Sequence, residues 1–182
     1  MARKLELVGE VAPRAGSSER TRLCQRWLAL ACEHTRRRLQ MATQIRQARA
    51  AGLTEEEARL SVEPAQADVN RLGATLEGIA QEAAKQHLAL PMDILGRQGG
   101  LDELELQILL LSVAPHVDVE IRDAIARFND NLLANYVDVR LCLEFLVDDP
   151  VDRLALRGSF GTAGALVRTR LSAINQQDVK TL

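Results

Sequence analysis

From Glu19 to about Ala51 the chain runs without Pro or Gly, and Leu23, Trp27, Leu30, His34, Met41, Ile45 and Ala48 recur every three or four positions. That spacing lays one stripe along a long amphipathic helix. At 1.5 Å per residue it spans about 45–50 Å, longer than a small domain is wide, so it needs a partner along its flank. Gly52 ends it, and LTEEEARL restarts with Thr54 as N-cap and Glu57 at N3, the capping-box spacing. Pro64 then suits the first turn of another helix, in which Val69, Leu72, Leu76, Ile79, Ala83 and His87 repeat at three and four. Two helices joined this way predict an antiparallel hairpin over 18–90. Gly73 and Gly78 inside it each weaken the helix by about 1 kcal/mol relative to Ala, or else permit close backbone contact. Residues 1–17 read as a flexible lead-in, with Ser17 or Ser18 as N-cap.

The segment LALPMDILGRQGGLDE, with Pro91, Gly96, Gly99 and Gly100, marks a boundary, and beyond it the periods shorten. A short helix is expected over 92–97. The next, Leu101–Val113, has Asp102, Glu103 and Glu105 in its first turn and is then apolar all round, which predicts a buried central helix that Pro115 stops. Asp118 caps a helix over Val119–Asn129 whose Ile121, Ile125 and Phe128 face inward. Asn135 caps Tyr136–Val147, with Asp138 at N3 and Val137, Leu141 and Phe145 on one stripe. After a short helical piece at 151–156, ALVRTRLSAI is the one credible strand. The chain therefore reads as mainly α: an N-terminal helical hairpin followed over 91–182 by a winged-helix-like domain with minimal β, its wing cut short.

Composition narrows the chemistry. Apolar residues make up 47% and aromatics only 3% of the 182 residues, so the core is aliphatic and a base-stacking platform is disfavoured. A net charge of -2 argues against phosphate neutralisation over a basic face. Cys24, Cys32 and Cys142 are odd in number, pointing to reduced thiols and a cytoplasmic setting. No C-x-x-C occurs and His34, His87 and His116 lack metal-ligand spacing, so neither metal nor cofactor is expected. No apolar run is long enough for a membrane span.

Several motifs have a sharp and a plain reading. GSFGTAG spaces Gly158, Gly161 and Gly164 like a phosphate loop, but it lacks the buried strand and Lys such loops require and reads as a turn. Arg36, Arg37 and Arg38 fan over roughly 200° of helix, which favours a solvated face over convergence on one phosphate. A partner-facing patch is the alternative. Asp148, Asp149 and Asp152 read as turn residues, His116 as a surface or capping residue, and Cys142 as a small core hydrophobe.

The stretches ELQILLLSVAPHVD, RDAIARFNDN, VDVRLCLEFL and ALVRTRLSAI together resemble the N-terminal winged-helix module of AAA-type ATPases, including those of contractile injection systems. The resemblance covers roughly residues 90–175 and rests mainly on the Leu-rich Ala-Pro segment and the Asn-Asp pair. It departs where such modules often carry an Arg-rich loop, here NLLANY, and no G-x-x-x-x-G-K-[ST] occurs. The chain is thus expected to be an amino-terminal piece of a longer ATPase.

The resemblance implies a non-catalytic interaction or adaptor domain that contacts a protein partner or a second copy. Two adjacent stripes on the first helix (Leu23, Trp27, Leu30 and Cys24, Leu28, Ala31) exceed what one helical neighbour covers. Trp27 and Leu28, with Arg36, Arg37 and Arg38, are therefore the candidate partner-binding residues. The alternative is DNA binding through the third helix, against which Asp138 and Glu144 outnumber Arg140. An enzyme is the remaining class, and no nucleophile–base pair, metal set or small-molecule site supports it.

Overall fold

The computed structural model describes residues 15–131, 136–147, 149–161, 164 and 166. Among them are eight α-helices and no strand: α1 (Ala15–Ala50), α2 (Glu55–Leu60), α3 (Glu63–Lys85), α4 (Pro91–Gly99), α5 (Glu103–Val117), α6 (Val119–Phe128), α7 (Val139–Leu146) and α8 (Pro150–Ser159). Of the expected strand over 165–174 only Leu166 is described, and it is helical and buried; the rest of that segment, most of the lead-in, Asn135 and Asp148 lie outside the described residues.

Local signals set most of the boundaries. Gly52 sits at φ +91° just after α1, a backbone that side-chain-bearing residues resist. The Thr54 hydroxyl accepts from the Glu57 N–H while the Glu57 carboxylate accepts from the Thr54 N–H, closing the capping box of α2. Asp102 and Glu105 make the same reciprocal pair at α5. Asp118 ends α5 and caps α6 by accepting from the Glu120 N–H, so the two helices meet at a one-residue corner.

Five expectations need correction. α1 is already helical at Ala15, so Ser17 and Ser18 lie inside it rather than capping it. Pro115 does not stop α5, which continues to Val117. Proline forbids its own N–H bond, but the last turn closes through Asp118 N–H to Ala114 O at 2.9 Å. Nor does α5 lack a wet side, since Val113 and Val117 are exposed. At the third helix Asp138 is the N-cap rather than N3, accepting from the Leu141 N–H at 2.7 Å. His87 falls beyond α3 at φ +55° and is exposed, so it leaves the stripe that Val69, Ile79 and Ala83 form.

Packing centres on α1, which at 36 residues is about 54 Å long. Its contacts with α3 run in reversed order: Leu23 clusters with Ile79 and Ala83, and His34 lies beside Gly73. On another side α1 meets α6. There Cys32 and Leu39 are buried with Leu111, Ile125, Phe128 and Leu141 in one aliphatic cluster that draws on α5, α6, α7 and α8. The long helix is therefore part of the same core as α5–α8.

Candidate functional site

In a winged helix the third helix of the trio is the element that reaches into a DNA groove. Here α7 is VRLCLEFL, with Val139, Leu141 and Cys142 buried and Leu143, Phe145 and Leu146 half-buried. Arg140 and Glu144 supply its polar positions, one turn apart and opposite in charge. Arg140 approaches the Asn129 side chain, and Glu144 lies 3.7 Å from Arg46. Burial pushes the Cys142 thiol up to about 12, with the Asp138 charge adding to it, so it stays a protonated core residue. Such a helix has almost no donor array to offer a base edge.

The five candidate residues of α1 separate. Trp27 is half-buried against the Leu23–Ile79–Ala83–Leu90 cluster, and Leu28 against the larger one. Ala31 is buried and Cys24 packs on the smaller cluster. The surplus apolar surface expected on α1 is partly covered within the chain, because α3 and α6 flank the helix on two sides, and Trp27 and Leu28 stay only half-buried.

The three arginines diverge as their spacing requires. Arg36 pairs with Glu33 and reaches across to Glu120 of α6. Arg37 is exposed and donates to Glu33 at 2.9 Å. Burial alone would raise the Glu33 carboxyl, yet hydrogen bonds from Arg37 and Arg36 and their charges together hold it below the usual range. Arg38 lies over the Phe145 ring, 4.9 Å from its centroid. Of the three, Arg36 and Arg38 fasten α1 to the short helices instead of facing solvent.

Two turns further along, Arg46 repeats the motif. Its guanidinium sits 4.8 Å from the Phe128 centroid and also donates to the Phe128 carbonyl. Phe128 and Phe145 meet edge to face at 6.2 Å, so two arginines of α1 cover an aromatic pair contributed by α6 and α7. These residues form the floor of an open cleft of about 1120 Å³. Its apolar lining includes Met41, Ile45, Leu60 and Val62, and its charged lining comprises Arg38, Arg46, Arg49, Arg59 and Arg153 with Glu55, Glu56, Glu63 and Glu144. Sequence periodicity could not find it, because the participants are drawn from α1, α2, α3, α6, α7 and α8.

Elsewhere the chemistry is sparse. Among the described residues no group of three His, Cys, Asp or Glu side chains could hold a metal ion, and no helix is long and apolar enough to cross a membrane. Asp149 caps α8 by accepting from the Val151 N–H, Asp152 is exposed in its first turn, and His116 is exposed in the last turn of α5. GSFG continues from α8 into a turn, with Gly158 still helical.

One family model, described as a winged helix domain, variant, matches residues 20–181. Comparison with curated proteins and with solved structures returned no match.

Proposed function

Because the chain belongs to the winged helix domain, variant, family over residues 20–181, we propose that it is a non-catalytic protein-interaction module, the adaptor domain of a AAA-type ATPase. The observation that carries this reading is the state of α7. A helix whose aliphatic residues are committed to the core, and whose Arg140 and Glu144 cancel, is poorly suited to groove recognition. Valines at the α5–α6 corner support contact with protein instead: Val113, Val117 and Val119 are 45%, 61% and 55% exposed. Assignment to an ATPase rests on the resemblance of the Leu-rich Ala-Pro segment and the Asn-Asp pair. We read α1 and α3 as an antiparallel hairpin that braces the winged helix within that adaptor.

DNA binding is the second reading, favoured by the fold alone. The two separate cleanly. In fluorescence anisotropy at low salt, duplex DNA is expected to show no saturable binding. Co-expression with a AAA-type ATPase module from a contractile-injection locus is expected to yield a complex on size exclusion. Saturable DNA binding with a salt slope of several phosphates, and no such complex, would overturn the proposal.

A further inference from the structure

The cleft along α1 changes sign from one end to the other. At its inner end Arg38 and Arg46 lie over the Phe145 and Phe128 rings, and Glu144 and Arg153, the latter bonded to Val147 just past α7, join the lining. At its outer end Glu55, Glu56 and Glu63 face Arg49 and Arg59. Glu55 is shared by Arg49 and Arg59, whereas Glu56 and Glu63 make no ion pair among the described residues. Arg153 donates to the Val147 carbonyl and likewise has no carboxylate partner among them. Charge is therefore left over at both ends, positive inside and negative outside. Met41, Ile45 and Leu60 lie among the lining between.

We propose that this cleft takes a short peptide segment of a partner protein, acidic at one end, basic at the other and apolar between. This rests on the interaction-module reading and names the partner's chemistry. From Arg38 to Arg49 the cleft follows α1 for about 16 Å, the length of a few residues of extended peptide or three helical turns. Its volume exceeds the roughly 300–1,000 Å³ of a small-molecule pocket, and it is open along one side. Arg153 is already held by its bond to the Val147 carbonyl, so little side-chain freedom is lost when a carboxylate arrives. A nucleic-acid strand fits worse, because its phosphates are anionic throughout and would meet Glu56 and Glu63. The charge reversal selects a peptide and sets its direction.

The test uses the full chain and a fluorescein-labelled peptide with glutamates at one end, leucines in the middle and lysines at the other. A peptide of the same residues with its charges alternated serves as comparison. The segregated peptide is expected to bind roughly tenfold or more tightly than the alternated one, less so at high salt. Glu56→Lys, an exposed residue in the first turn of α2, and Arg153→Glu are each expected to weaken it about tenfold. Arg71→Glu, on α3 outside the cleft, is expected to leave it unchanged. Circular dichroism checks that each variant folds, and Glu56→Lys carries the test if Arg153→Glu does not. Equal binding of the two peptides, or no effect of the folded variants, overturns the proposal. So does binding of tripolyphosphate or duplex DNA at Arg153 without the peptide. A protein complex that survives both variants removes the cleft and leaves the interaction reading standing.

Discussion

Around Leu39, α1 is sealed by α6 and the elements behind it, whereas around Leu23 it meets the end of α3 and the segment carrying Leu88 and Leu90. Leu39 is fully buried beside Leu111, Ile121 and Leu141. The cluster at the other end buries Leu23, Ile79, Ala83 and Leu90, with Trp27 only half covered. One unbroken helix thus serves two environments, and its contribution to stability depends on what surrounds each turn rather than on its own periodicity.

That contrast can be broken most directly by truncation. Leu39→Ala is expected to cost about 2–5 kcal/mol in urea denaturation, near the upper end because several helices surround the void. Ile79→Ala should sit near the lower end, and hydrogen exchange should show its opening confined to α3 and the start of α1. Equal losses with one cooperative transition would mean that the two clusters form a single core.

Arg46→Ala sharpens the same comparison at the boundary. It removes the contact with the Phe128 ring, the bond to the Phe128 carbonyl and the approach to Glu144. A loss of about 1–2 kcal/mol is expected by thermal melting. Arg37, exposed on the same helix and paired with Glu33, should give under 1 kcal/mol when removed.

On the thinner side, Gly78→Ala is expected to stabilise by about 0.5–1 kcal/mol, read as a higher urea midpoint. A side chain there would meet nothing within 4 Å, so helix propensity alone decides the sign. Gly73→Ala is subtler, since its new methyl would lie 3.7 Å from His34 Nε2, an ordinary contact that costs nothing.

The smallest effect concerns His34 itself. Burial, and then the Arg38 charge, hold its pKa below 6.5. Protonation is thus disfavoured in the folded state, so the full stability is present above pH 6.5 and falls as the pH drops through that value towards the lower folded pKa. His34→Gln should flatten the stability slope between pH 7 and pH 5. Glu33, held below 4.5, contributes its own loss only beneath that window.

The residues that could be read in advance share one property: their partners are within four positions. Thr54 with Glu57, Gly52 and the Asp118 cap all act on neighbouring backbone, and the structure places each as its chemistry requires. Ser17, Pro115 and Asp138 misled because two local rules compete there. A serine can cap or sit inside a helix, and proline near a helix end forfeits little. The cleft was invisible for another reason. Arg38 and Arg153 lie far apart in the chain, and nothing in either neighbourhood shows that they line one cleft with Phe145 and Phe128.

Apolar period, caps and breakers by themselves decided where most helices run, because those forces act over one turn of backbone. Which neighbour each stripe of α1 takes, whether Trp27 and Arg38 face water or their own chain, and where unpaired charge is left were decided only when α3 and α6 closed on that helix. Burial is a property of the assembled helices, and no single segment carries it.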